Sequence, residues 1–258
     1  KSLLRPSLLK DLAAVLGSRW NYFRSLCREF RRQPGIVHVH DRLTIAPLAL
    51  LAARWCGPPA VLHVHYPART ARERRQLWLL SGLAQALVFV SDGARRCYDR
   101  KVQRRAMVIH NFMELPPPRS VLPHRVLRVA MVSQMSYAKG TDLFLRMCAR
   151  LRADELAFSA WMVGRWEGAG QKDDALRFIR DNRLEGTVEI RDHESDMDRI
   201  YRKTDLLVLP TRRDAFPRVV MEAMCYGLPV VATRVDGVPE MVADGETGFL
   251  VEPEDVDG

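Results

Sequence analysis

No apolar run in these 258 residues reaches the roughly 20 positions that a membrane-spanning helix needs. The start lacks both a Met and the basic, apolar and small-residue succession of a secretory leader. Cysteine is sparse. Cys27, Cys56, Cys97, Cys148 and Cys225 show no paired spacing, which speaks against a disulfide framework or a cysteine zinc site and favours reduced thiols in a cytoplasmic setting. The Gly-x-Gly-x-x-Gly fingerprint is missing too. Gly164, Gly168 and Gly170 have the wrong spacing, which weighs against an NAD dehydrogenase. The basic runs have no interleaved aromatics and no nucleic-acid module is recognisable, so nucleic acid is not an expected partner. Two Asp-x-Asp sequences, Asp196–Asp198 and Asp255–Asp257, follow no convincing buried strand and are not read as metal ligands.

What is present is a rhythm. Short apolar runs alternate with longer amphipathic ones, the pattern of repeated βαβ units and a parallel sheet. Strands are expected over 36–40, 60–65, 86–91, 106–110, 127–133, 157–163, 187–191, 206–210 and 228–233, with a strand-like 248–251 near the end. Helices are expected over 45–55, 72–84, 142–152, 173–182, 195–203 and 218–226, the first of them capped by Thr44. Residues 114–125, ELPPPRSVLPHR, hold four prolines, which block helix and ladder alike and read as a stiff linker. The expected division is an N-terminal domain over 1–117, a linker over 118–126 and a C-terminal domain over 127–258. The two would be doubly wound parallel-sheet, Rossmann-like domains facing each other across a cleft lined by strand ends.

Charge divides the same way. Residues 1–125 carry 22 Lys+Arg against 7 Asp+Glu, whereas residues 126–258 carry 18 against 24. The clusters Arg28/Arg31/Arg32, Arg69/Arg72/Arg74/Arg75 and Arg95/Arg96/Arg100/Lys101/Arg104/Arg105 suit an anionic membrane surface or a phosphorylated acceptor. A plain solvated surface is the competing reading.

The richest segment is 214–240, DAFPRVVMEAMCYGLPVVATRVDGVPE. It sets two carboxylates, Asp214 and Glu222, eight positions apart across a loop-to-helix junction. The carboxylates accept hydrogen bonds from hydroxyls, and the free N–H groups of the helix start face an anion. A nucleotide diphosphate sugar has both features.

This segment resembles the C-terminal domain of the retaining glycosyltransferases of family 4, which have the GT-B architecture. Their pattern is Glu, seven residues, Glu, then Ala-Met and a Gly-Leu-Pro-Val-Val-Ala-Thr strand. Here Glu222-Ala223-Met224 and 227–233 match it, with Asp214 replacing the first Glu. The sequences at 36–40, 62–65, 88–91, 108–111 and Lys139-Gly140 fall in the order of that family. The resemblance implies that the first strand, its Gly-rich loop and the closing C-terminal helices lie outside this sequence.

It also implies roles. Lys139 would bind the donor diphosphate, with Gln134 standing where the family has Arg. Loss of that charge could be offset by Arg165, Arg212, Arg213 or Arg218. Glu222 would accept from the ribose hydroxyls, Asp214 would contact the sugar, and Ala215, Phe216, Val219 and Val220 would offer backbone N–H groups. Pro217 has none. His65, ending its strand, would stand near the transferred sugar and its acceptor. His65, Asp214 and Lys139 are therefore the expected catalytic residues. The doublets His38/His40 and His63/His65 each put two imidazoles on one strand face. No carboxylate cluster accompanies them, so no metal or other cofactor is expected. Asn111 matches a family turn in which Phe112 replaces Gly, and is read as structural.

The implied activity is transfer of a sugar from a nucleotide diphosphate donor to a hydroxyl acceptor, lipid-linked or phosphorylated among the options, with anomeric retention. It would serve polysaccharide or glycolipid synthesis at the inner face of a membrane. A non-catalytic sugar-nucleotide-binding module and a GT-B sugar-nucleotide epimerase stay open as alternatives. The base, sugar, acceptor and oligomeric state are not legible.

Overall fold

The computed structural model describes residues 6–33, 35–40, 46–117, 126–192 and 194–257, those of 6–16 without their side chains. The chain divides into two compact units, Lys1–Ile109 and His110–Gly258.

The first unit opens with a long helix, α1 (Pro6–Arg32), and then builds four parallel strands, β1 (Val37–His40), β2 (Ala60–Val64), β3 (Ala86–Phe89) and β4 (Ala106–Val108), in that spatial order. Helix α2 (Ala46–Cys56) buries Leu50 and four alanines, Ala46, Ala49, Ala52 and Ala53, whose small side chains let it close on its neighbours. Helix α3 (Ala71–Ser81) begins with a capping box: the Thr70 hydroxyl accepts from Glu73 N–H, and the Glu73 carboxylate accepts from Thr70 N–H. Two short helices, α4 (Asp92–Arg96) and α5 (Arg100–Arg105), lie between β3 and β4.

The second unit is a six-stranded parallel sheet. Its strands are β5 (Leu127–Val132), β6 (Phe158–Val163), β7 (Val188–Arg191), β8 (Leu206–Leu209), β9 (Val230–Thr233) and β10 (Gly248–Val251), in the order β10-β9-β8-β5-β6-β7. Chain progression therefore reverses between β5 and β8. Alternate residues of β5 serve opposite faces. Val129 and Met131 join a core with Phe144, Leu145 and Cys148 of α6 (Thr141–Ala153) and Ala175 and Ile179 of α7 (Ala169–Asp181). Ala130 and Val132 join one with Ile200 and Tyr201 of α8 (Met197–Arg202) and Val220 and Ala223 of α9 (Arg218–Cys225). Apolar faces on both sides are why these strands read as unbroken hydrophobic runs.

All the expected strands form. The helices bring differences. The expectations omitted α1, whose sequence has Gly17 mid-helix and no acidic residue in its first turn; packing against α2 accompanies it here. They also omitted α4 and α5, which at five and six residues are too short to show periodicity. Helix α7 starts at Ala169 rather than 173, through Gly170, a residue of low helix propensity. Thr44 and the linker residues 118–125 lie outside the described residues. Asp196 caps α8 by accepting from Arg199 N–H at 3.1 Å. All five cysteines are free, and burial pushes the Cys148 thiol up to about 12. Among the described residues no helix is long and apolar enough to cross a membrane.

Candidate functional site

The strand order reverses between β5 and β8, and doubly wound sheets bind ligands at the C-terminal strand ends beside such a reversal. Two loops meet there. The β5 loop turns through a single 3-10 turn, Tyr137–Lys139, into Gly140 at φ +75°. A Cβ on Gly140 would stand 1.9 Å from the carbonyl oxygen of Pro210, which directly follows β8. Only glycine allows that approach. Across the contact, Arg212 N–H donates to Ala138 O at 3.0 Å and the Thr211 hydroxyl lies 3.3 Å from the same oxygen. Thr233 at the end of β9 donates its hydroxyl to Thr211 O, tying in a third strand end.

These braces bring Lys139 and Asp214 together. Lys139 Nζ donates to Asp214 Oδ2 at 2.5 Å, with side-chain exposures of 27% and 16%. Asp214 Oδ1 accepts from Phe216 N–H at 3.3 Å, and Asp214 N–H donates to Asp236 Oδ2 at 3.0 Å. Asp236 holds φ +43°, a strained value that aims its carboxylate back at the loop. Of the four backbone amides expected to face ligand, Phe216 N–H is used by Asp214 and Val220 N–H by Pro217 O at 3.1 Å. Ala215 and Val219 show no such bond among the described residues. The Phe216 ring stacks on His110, 4.8 Å between centroids, and His110 pairs with Glu240 at 2.9 Å.

Glu222 is half-buried on α9. Tyr201, itself almost wholly buried on α8, donates its hydroxyl to Glu222 Oε2 at 2.7 Å. Burial first, then Glu222, pushes the Tyr201 hydroxyl well above its usual range, so it stays a donor. Arg218 approaches Glu222 Oε1 at 3.5 Å. Gln134, in the β5 loop, is exposed.

Arg212, one of the arginines that could offset the charge lost at Gln134, is already engaged by two carboxylates. Its guanidinium forks onto Asp142 at 2.7 and 2.9 Å, reaches Glu254 at 2.5 and 2.9 Å, and lies 3.7 Å over the Tyr137 ring. Asp142 above all, partly opposed by burial, and then Glu254 hold it even higher than an ordinary arginine. It latches the two loops.

His65 follows β2 in the other unit. His40 Nδ1 and His65 Nε2 are 3.0 Å apart, and burial, then His40 and His38, lower the His65 pKa. Sequence reasoning missed Tyr201, Thr211, Thr233 and the Lys139–Asp214 pair. A Tyr on an otherwise apolar helix face was the one signal available, since its hydroxyl must find a partner when buried.

Residues 126–258 match the family described as glycosyl transferases group 1, and residues 4–115 match glycosyltransferase family 4. The chain is similar to D-inositol 3-phosphate glycosyltransferases, with 32% identity to that of Mycolicibacterium smegmatis over 50% of this chain and 30% of the relative. Against that of Corynebacterium glutamicum the identity is 30%, over 51% of this chain and 32% of the relative. The chain thus spans about a third of the length of these relatives. Among solved structures, Anabaena HepE in complex with UDP superposes with a TM-score of 0.79 at 19% identity, covering 91% of this chain and 69% of that one. A glycosyltransferase from Rickettsia africae gives 0.80 at 19%, covering 99% and 70%. At such identity the likeness shows the fold, an α/β chain of the GT-B type. Taken with the family match over more than half its residues, it establishes that this chain belongs to the group 1 glycosyl transferases.

Proposed function

We propose that the chain carries the donor site of a retaining glycosyltransferase that moves a sugar from a nucleotide diphosphate sugar to a hydroxyl acceptor, in polysaccharide or glycolipid synthesis. The observation that carries this reading is the Lys139–Asp214 pair held at the β5/β8 crevice, four residues before the start of α9. An incoming diphosphate competes with one carboxylate for the ammonium. Lys139 passes to the phosphates, and Asp214 is released to accept from sugar hydroxyls. The unbonded amides of Ala215 and Val219 add donors at the helix start. Glu222, oriented by Tyr201, accepts from the ribose diol. The demand of the reaction is charge on the leaving diphosphate as the glycosidic bond breaks through an oxocarbenium-like state, and these cationic and N–H groups meet it without a metal. His65 keeps the role the family resemblance implies, a hydrogen bond to a sugar hydroxyl.

The relatives named for inositol 3-phosphate support an acceptor with a phosphorylated hydroxyl ring. The HepE complex supports a uridine donor. The basic N-terminal half supports attachment to an anionic membrane from the cytoplasmic side; pelleting with anionic vesicles should fall as salt rises, and salt-independent pelleting would remove that part.

The test is calorimetric titration of UDP into this chain beside a donor-turnover assay. Lys139→Ala and Glu222→Ala should each weaken binding by about 1.5–3 kcal/mol, roughly ten- to a hundredfold. Wild-type affinity in both variants would overturn the site. Binding without turnover would leave the chain a sugar-nucleotide-binding module.

A further inference from the structure

The first unit holds a cluster of four histidines, of which the proposed reaction uses His65 alone. Parallel pairing sets His40 of β1 directly beside His63 of β2, and strand alternation puts His38 and His65 on the same face. The rings form a continuous group. His38 and His63 are stacked 5.4 Å apart and 5° from parallel, His38 and His40 are 4.1 Å apart, and His63 and His65 are 4.2 Å apart. One ring nitrogen each from His38, His40 and His63 can be chosen so that all three lie within 4.8 Å of one another.

We propose that His38, His40 and His63 form a binding site for a borderline divalent transition-metal ion of the zinc, copper and nickel class, with His65 as its outer partner.

Three features favour this. The first is the state of His63. Neither of its ring nitrogens meets solvent or has a hydrogen-bond partner. A neutral imidazole carries one donor and one acceptor, and a buried acceptor without a partner is an unmet demand that a metal satisfies. The second is reach. Imidazole nitrogens sit about 2.0–2.1 Å from zinc, which puts tetrahedral ligand nitrogens roughly 3.4 Å apart. Closing from 4.8 Å takes small side-chain rotations, and the exposed His38 and His40 have room for them. The third is the second shell. With Nδ1 of His40 engaged by His65, Nε2 is left to ligate, the arrangement that fixes tautomer and orientation in metal sites.

The sequence reading set a metal aside because no carboxylate accompanies the histidines. Three imidazoles are by themselves a complete protein ligand set for zinc with a position open. The ion would clamp β1 to β2 and hold the His40–His65 pair still. The three ligands lie in the first unit and do not rest on the donor-site reading, whose Lys139, Asp214 and Glu222 lie in the second.

Zinc affinity should be measured on the tag-free 258-residue chain by competition with a chromophoric chelator. The expected result is one zinc per chain, with at least tenfold weaker binding in His38→Ala and in His63→Ala and unchanged binding in His110→Ala. Because His63→Ala could disturb the sheet, its circular dichroism is compared with wild type, and the exposed His38→Ala carries the test if it does not fold. Cobalt substitution is the second readout: d–d bands of a nitrogen-ligated ion are expected. A thiolate charge-transfer band would move the site to the cysteines and overturn the proposal. So would zinc binding in His38→Ala as tight as in wild type, or no zinc bound by the wild-type chain.

Discussion

The two units share a rhythm and differ in what their strand order does with it. In the second, progression reverses between β5 and β8, so the loops leaving two neighbouring strands diverge around a crevice and are braced to one another. In the first, β1 to β4 run in sequence order among the described residues, with no reversal. Both faces of the second sheet are apolar, whereas one face of the first presents a row of imidazoles. The place where doubly wound sheets bind ligands is thus set by strand order, which βα alternation alone does not specify.

The sharpest break of this comparison uses glycine. Gly140 and Gly57 both have positive φ, +75° and +103°. A Cβ on Gly140 meets Pro210 O at 1.9 Å, whereas one on Gly57 meets nothing within 4 Å. Gly57→Ala should cost only backbone strain, about 1 kcal/mol. Gly140→Ala must also separate the two crevice loops, and should cost ~3 kcal/mol or more and abolish UDP binding. Denaturant unfolding of both variants measures this. Equal costs would mean that the loops do not need their close approach.

The next effect lies within the crevice. Lys139→Ala removes a cation and leaves Asp214 as an unpaired carboxylate facing the diphosphate. Adding Asp214→Asn removes that repulsion. The double variant should therefore bind UDP better than Lys139→Ala alone, by about 1 kcal/mol of coupling. Strictly additive losses in titration would show that the pair does not act as a unit.

Much of this was legible in the sequence. Lys139 and Asp214 lie in loops that follow strands and Glu222 on the helix after one, placements that the alternation of apolar and amphipathic runs made readable. The partnerships were not legible. Lys139 and Asp214 are 75 positions apart and Tyr201 and Glu222 are 21 apart, and such pairings depend on strand order and loop path. The same holds for Arg212, which in sequence is one of several nearby arginines and in the fold is committed to Asp142 and Glu254. The quartet of histidines was half legible: alternation put each doublet on one face, but only the pairing of β1 with β2 joins the doublets. Tyr201→Phe tests the least visible partnership. Loss of its hydrogen bond should reduce UDP affinity by about 1 kcal/mol through Glu222, with the chain still folded. An affinity equal to wild type would make Tyr201 a packing residue only.

The smallest effect separates the units by acid response. His63 ordinarily titrates at 6.5 and burial holds it down at about 4, with His38 and His65 lowered in the same direction. Below 6.5 the unfolded chain takes up protons that the folded unit refuses until about 4, so stability rises with pH across that window and is lost as pH falls through it. In the second unit the lowered groups are the carboxylates Asp198 and Asp244, whose contribution is retained until pH falls below 3.8. Between pH 7 and 5, amide hydrogen exchange of chelator-treated protein should therefore speed up in peptides of β1 and β2 relative to those of β5 and β8. Solvent screening of the half-exposed rings keeps the difference modest. His63→Leu should remove much of it, because it deletes the most strongly shifted ring and fills its place with an apolar side chain. Equal acid sensitivity in the two sheets would mean that the imidazole row is solvated and titrates as free histidine does.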